Sequence, residues 1–303
     1  MKLKVVERDR IITYFENDME SALTVKAGET FKLKTNDCFC GQVKGGMKTP
    51  IEIDESKSDA ATGPVFVEGA EPGDILKVKI EKIEVADSGV SMLFPGEGVI
   101  GDMVKEEMIR EIPVEDGAIK FCGLSIPIRP MLGVIGVAPA KEDGAWHAEV
   151  PWKHGGNMDT TDITEGTTLY FPVNQKGALF AAGDCHAVMG DGESCVTGLE
   201  IDAEATFSVD VIKNRMTTWP ILETEEGTMI IASGDTLQHA CENAVKEAVS
   251  ILSKGLSISW EDAYILVSLA CDLRISQCVN QKKTVRVVIG KEILTTEEVI
   301  NTL

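Results

Sequence analysis

The segment Ile75–Val85, ILKVKIEKIEV, constrains the fold more than any other stretch of the chain. Leu76, Val78 and Ile80, then Ile83 and Val85, are apolar, and Lys77, Lys79, Glu81 and Glu84 fall between them. A period of two sends successive side chains to opposite faces, so the pattern predicts an antiparallel strand with one face in a core and the other in water. The preceding EPGD supplies its turn, with Pro72 fixing φ and Gly73 admitting a positive φ. Further strands are predicted over 129–139, 177–188, 198–212 and 227–233, and over 166–173, which is read as one arm of a hairpin turning through NQKG into 177–186. Past residue 233 the period lengthens. Leu237, Cys241, Ala244, Ala248 and Leu252 form one helical stripe, with Asp235 as the expected N-cap and Gly255 as the expected stop. Ser259 and Asp262 resemble a capping box ahead of AYILVSLACDL, apolar nearly all round and so expected to be a buried helix. A strand at TVRVVIG and a short helix from Thr295 complete the reading. The expected fold is mainly β, with a sandwich or barrel body over 1–232 and an α+β C-terminal subdomain over 233–303 packed on it.

Several function classes are excluded by composition. No apolar run approaches the ~20 residues that span a bilayer, and the N-terminal MKLKVVERDRIITYF lacks the apolar core and cleavage site of a secretory signal, which predicts a cytoplasmic protein with no membrane partner. The eight cysteines include no C-x-x-C pair, so they are expected as thiols packed as small hydrophobes. With 49 acids against 29 bases the formal charge is −20, which repels phosphate backbones and argues against nucleic acid as a partner.

The chemistry concentrates in GDCHAVMGDGE, 183–193. On a strand, Asp184 and His186 project to one face with Cα atoms roughly 6.6 Å apart, a spacing one cation can bridge, and Cys185 projects to the other. The GDG turn then returns Glu193 toward the same end of the sheet. Carboxylate with imidazole suits zinc, manganese or iron, whereas calcium prefers oxygens alone. Taken by itself, a D-x-H pair reads more readily as a polar turn carrying a solvated histidine than as a metal site. A second cluster, KHGGNMD, adds His154, Asn157 and Asp159 immediately before the hairpin, with paired glycines whose N–H groups could converge on an oxyanion. A third, TNDCFCGQV, offers Asp37 and Gln42 near a strand end, where an aspartate is commonly an Asx turn. Cys185 beside His186 raises the alternative of a thiol nucleophile, disfavoured because adjacent strand residues face opposite ways. No nucleophile elbow, P-loop, dinucleotide fingerprint or H-E-x-x-H motif is present.

In order and spacing, TGPVFVEGAEPGD, RPMLGVIGVAP, HGGNMD, GDCHAVMGDGE and DLRISQ resemble the acetamidase/formamidase family of metal-dependent small-amide hydrolases, over about residues 37–277. The resemblance implies hydrolysis of formamide or acetamide to carboxylate and ammonia on a jelly-roll-like sandwich, in a homodimer or higher homo-oligomer. It carries over Asp159, Asp184, His186 and Glu193. Met189 stands where many members of that family have glutamine, which bears on substrate range. The resulting expectation is a divalent metal, zinc first, with manganese or calcium as alternatives, held by Asp159, Asp184 and His186 together with Asp37. Glu193 would be the general acid/base toward a metal-activated water, Asn157 and the Gly155 and Gly156 amides would serve the oxyanion, and His154 would orient a ligand. The rival from another class is a non-catalytic binding module whose ion only ties loops together.

Overall fold

A computed structural model describes residues 3–49 and 51–303. Strand Ile75–Val85 forms over the span its alternation predicts and lies near the middle of a nine-stranded sheet, paired antiparallel with Ala203–Ile212 on one side and Thr168–Pro172 on the other. A six-stranded sheet faces it, built on Met131–Gly136, Phe180–His186 and Ala61–Glu68. One core fills the space between the sheets. Val78, Ile80, Leu169 and Phe207 enter it from the first sheet, and Val65, Leu132, Phe180, Ala182 and Cys185 from the second. Phe180 meets Phe31 and Phe207 across the gap at ring centroid separations of 6.2 and 5.3 Å, edge-on contacts that add to area burial. A four-stranded antiparallel sheet, Ser88–Leu93, Met108–Glu115, Ala118–Phe121 and Leu124–Pro127, flanks this body. The fold is thus a β-rich body with its helices toward the C-terminus.

The predicted hairpin over 166–186 does not form. Thr168–Pro172 joins the nine-stranded sheet and Phe180–His186 the six-stranded one, so the connection crosses the sandwich. Gly177, Ala178 and Leu179 make that crossing with φ of 78°, 57° and 56°. Both strands are buried along their whole length, so their apolar runs carry no alternation that would reveal which sheet each belongs to.

Helix α1, Leu237–Leu256, packs Ala240, Ala244, Ala248 and Leu252 against Ile230, Val285 and Val287 of the nine-stranded sheet. Its N-cap is Thr236, whose hydroxyl accepts from the His239 N–H, rather than Asp235. It also runs through Gly255 to a left-handed Ser257. Gly255 serves packing instead, since a Cβ there would meet Leu294 at 2.8 Å. Helix α2, Trp260–Ala270, begins at the expected Ser259 cap but is not buried. Ala263 and Val267 face the core, while Trp260, Tyr264, Ile265 and Leu269 are 56%, 50%, 56% and 79% exposed. The chain after it turns into strand Asp272–Gln277, which with Lys283–Gly290 extends the nine-stranded sheet to its edge. Helix α3, Thr296–Thr302, carries the Thr295/Glu298 capping box. Among the described residues no helix is long and apolar enough to cross a membrane.

Candidate functional site

Phe180 and Ala182 enter the core, and the left-handed backbone at Asp184 then resets the alternation along Phe180–His186. Cys185 and Ala187 enter the core, as do Leu199 and Ile201 of the neighbouring segment, so Asp184, His186 and Glu200 emerge on the opposite face. There His186 Nε2 lies 3.1 Å from Glu200 Oε2 and 3.3 Å from Asp184 Oδ1. The turn after Gly192 brings Glu193 Oε1 to 3.9 Å from His186 Nδ1. Asp159 arrives from the strand Gly155–Asn157, its Oδ2 accepting a 2.7 Å hydrogen bond from Asn280 Nδ2. Two groups of ligand-type atoms result, Asp159, His186 and Glu193 in one and Cys38, Asp184 and Glu200 in the other. Within each, the atoms lie no more than 4.8 Å apart. Backbone closeness makes this possible: a Cβ on Gly183 would stand 2.3 Å from the Ala60 carbonyl oxygen, as expected of a glycine where a neighbouring strand approaches.

Gly133 forms the floor. A Cβ placed on it would be 2.4 Å from both Asp159 Oδ1 and Asp184 Oδ2 and 2.9 Å from Asn157 Oδ1, so three oxygens converge over one bare backbone position. Asp159 Oδ1, Asn157 Oδ1 and Glu193 Oε2 are buried with no hydrogen-bond donor, and the buried Asp184 Oδ1 and Glu200 Oε2 have only the shared His186 Nε2 edge beside them. Asp159, Asp184 and Glu193 also hold left-handed backbone, at φ of 41°, 52° and 47°, a conformation that costs a non-glycine residue on the order of 1–2 kcal/mol.

Electrostatics follow from this crowding. Burial and the neighbouring Asp184 raise the Asp159 carboxyl to about 7, and burial raises Asp184 to about 6 although His186 pulls it down. Burial and Asp159 push Glu193 well above the usual carboxyl range, and burial and Asp184 do the same to Asp59. Burial disfavours the charged imidazole of His186, but Glu200 and Asp184 more than offset it and hold its pKa well above 6.5. The cluster opens into a cavity of about 440 Å³, where eight lining side chains are carboxylic acids and none is Lys or Arg. Such a surface asks for a cation.

Of the residues singled out in the sequence, the structure brings together Asp159, Asp184, His186, Glu193 and Asn157, the last donating from Nδ2 to Asp59 Oδ1 at 3.4 Å. Two others stand apart. The carboxylate of Asp37 accepts from the Gly41 N–H at 3.0 Å, an Asx-type turn, and it is Cys38 beside it that reaches the cluster. His154 is buried against Phe15 and Trp146 with neither ring nitrogen partnered. Burial alone lowers its pKa to about 3, and it does not line the cavity. The Gly155 N–H is spent on the Trp152 carbonyl, and neither Gly155 nor Gly156 lines the cavity. Cys185 lies in the core, and burial raises its thiol pKa far from that of a nucleophile. Glu200, Cys38, Asp59 and Asn280 were not singled out. Glu200 sits on the polar face of an alternating strand, where an acid reads as solvated, and only the pairing of 198–200 beside His186 turns that face inward.

The acetamidase/formamidase family model matches residues 3–149 and 142–295 of this chain. The chain is 24% identical over 279 residues to an acetamidase of Mycolicibacterium smegmatis, a match covering 67% of this chain and 66% of that protein. It is 25% identical over 264 residues to a formamidase of Methylophilus methylotrophus, with 65% and 63% covered. The chain therefore spans about two thirds of the length of these relatives. Among solved structures, an acetamidase from Bacillus halodurans superimposes with a TM-score of 0.92 at 37% identity, covering 95% of this chain and 97% of that one. A predicted acetamidase/formamidase from Thermoanaerobacter tengcongensis gives 0.94 at 40% identity, with 99% of each chain covered.

Proposed function

Since the chain belongs to the acetamidase/formamidase family, we propose that it hydrolyses short-chain aliphatic amides, formamide and acetamide among them, to the carboxylate and ammonia, with a divalent cation held at the carboxylate–imidazole cluster. The observation that carries this reading is the crowd of buried oxygens, three of them without a donor and two sharing one imidazole edge, beside a cavity lined by no Lys or Arg among the described residues. The donor set fits such an ion. Asp159, Asp184 and His186 would hold it, with Glu200 and Cys38 beside Asp184, and imidazole with thiolate suits zinc better than calcium. Zinc held there supplies Lewis acidity, polarising a carbonyl and bringing the pKa of water toward ~7.

The chain's own residues account for the remaining demands of amide hydrolysis. An amide nitrogen leaves only when protonated, and the attacking water must lose a proton. Glu193 suits both transfers, because its Oε2 is free and its raised pKa places the carboxyl nearer neutrality, where it can take the proton from water and deliver it to nitrogen. Glu200 and Asp184 share the His186 Nε2 edge and fix the ring's orientation. Asn157, on the cavity wall, offers a side-chain amide to the substrate's carboxamide.

The test is ammonia and carboxylate release from formamide, acetamide and propionamide by the zinc-loaded chain. A protein that binds zinc stoichiometrically yet releases no ammonia from any of the three would be the non-catalytic module instead.

A further inference from the structure

Adjoining the polar cavity is a second one of about 860 Å³, between the four-stranded sheet and segment 188–199. It is the more apolar of the two, although Arg110 and Asp191 also line it. Met92, Ile112, Ile119, Phe121, Ile126 and Leu199 line it. Glu193 and Thr197 line both cavities, so the two share a wall. Met189 completes that wall. Its thioether stands 3.3 Å from His186 Nδ1, and its side chain lines the apolar side, so an apolar group meets the site's imidazole where the cavities adjoin. Thr197 is pinned by Ser91 Oγ at 3.0 Å and by the Met92 N–H at 3.0 Å, which fixes this part of the wall.

We infer that the apolar cavity is an acyl-chain subsite, and that the preferred substrates are primary amides carrying an apolar acyl group of several carbons. The inference rests on the proposed amide hydrolysis and names its substrate class. Formamide has no acyl carbon beyond the carbonyl and acetamide has one, so neither reaches past Glu193. A longer acyl chain placed with its carboxamide at the acidic cluster has one apolar volume beside it, and that volume falls in the range of sites that enclose small ligands. Each methylene transferred from water into it raises kcat/KM by about fourfold.

The experiment measures kcat/KM for acetamide, butyramide and hexanamide with the zinc-loaded full chain, together with calorimetric binding of hexanamide and light scattering. Two variants in the second cavity, Phe121→Asp and Ile126→Trp, lie outside the catalytic cluster, and Phe121 is 40% exposed, so the first is tolerated by the fold. The expected result is a kcat/KM that rises from acetamide to hexanamide, and a hexanamide-to-acetamide ratio that falls about tenfold in both variants with acetamide unchanged. A kcat/KM that falls beyond acetamide, or a ratio unmoved by both variants, overturns the subsite. So does a change in oligomeric state without a change in chain-length preference, which would make this surface a contact between copies. Hexanamide binding that is weakened in both variants, with no ammonia from any amide, would uphold the subsite and defeat the proposed reaction.

Discussion

Replacing Gly133 by alanine tests whether the converging oxygens are a ligand set. Gly133 does not have the positive φ that would make alanine strained, so the backbone accepts the change. The cost falls on the site, because the new methyl would stand 2.4 Å from Asp159 Oδ1 and Asp184 Oδ2 and 2.9 Å from Asn157 Oδ1. Comfortable contact begins near roughly 3.5 Å, so both carboxylates must retreat by about 1 Å. Ligand distances tolerate only about 0.2 Å. We expect zinc affinity and amide turnover to fall by about 10–100-fold. Overpacking costs about 1–3 kcal/mol, against which alanine regains about 0.5–1 kcal/mol of backbone entropy in a strand. The melting temperature should therefore stay within roughly 5 °C of the parent. Elemental analysis and zinc titration read the metal, ammonia release the turnover and a thermal melt the stability. Gly183→Ala is the contrast, since its methyl would strike Ala60 and Ala61 backbone at 2.3 and 2.9 Å and should break the sheet itself. A Gly133→Ala protein with one zinc per chain and turnover within about threefold of the parent would refute the reasoning.

Asp184→Asn and His186→Ala should each lose nearly all turnover and metal, whereas Cys185→Ala should keep its rate and lose about 1 kcal/mol of stability as a small core truncation; an acyl adduct on Cys185 by mass spectrometry would reverse this. In the metal-free protein, Asp184 at about 6 and Asp159 at about 7, both raised from 3.8, make the folded state bind more protons than the unfolded state between about pH 4 and 7. Stability should then fall as pH rises through that window, and metal-free Asp184→Asn should show a shallower fall in urea titrations at each pH. Equal slopes for the two proteins would contradict it. The exposed Trp260, Tyr264, Ile265 and Leu269 of α2 call for a partner surface, so light scattering should give a mass above the 32.7 kDa chain and Leu269→Glu should lower it; a parent monomer at micromolar concentration would count against this.

Where the sequence carries a periodic signal, the structure follows it. Ile75–Val85 alternates because one face is core, and the shift to a helical period past 233 marks α1. The pairing of strands was not legible. Thr168–Pro172 and Phe180–His186 are buried on both faces and so read alike, although they lie in different sheets. The same logic divides the site. Asp184 and His186 share a face because they are two apart, and that much spacing reveals. Glu200 and Cys38 come from segments whose approach depends on tertiary pairing, and in the sequence each looks ordinary. His154 shows the reverse case. A histidine beside paired glycines reads as a group that orients a ligand, yet it lies among Phe15 and Trp146 with no polar partner. The exposed stripe of α2 reads as a buried helix for a related reason, since hydropathy records that a face avoids water and not which molecule covers it.

Dependence of amide hydrolysis on a divalent ion at the Asp159–Asp184–His186 cluster is measured most directly by stripping the protein with a chelator and verifying the metal content. Circular dichroism and ammonia release from formamide are then recorded while zinc, manganese and calcium are restored one at a time. The metal-free chain should keep its β-rich spectrum, because its core does not rest on one ion. It should release no ammonia above background, and it should recover with zinc or manganese. A verified metal-free protein that hydrolyses formamide at the full rate would contradict the account.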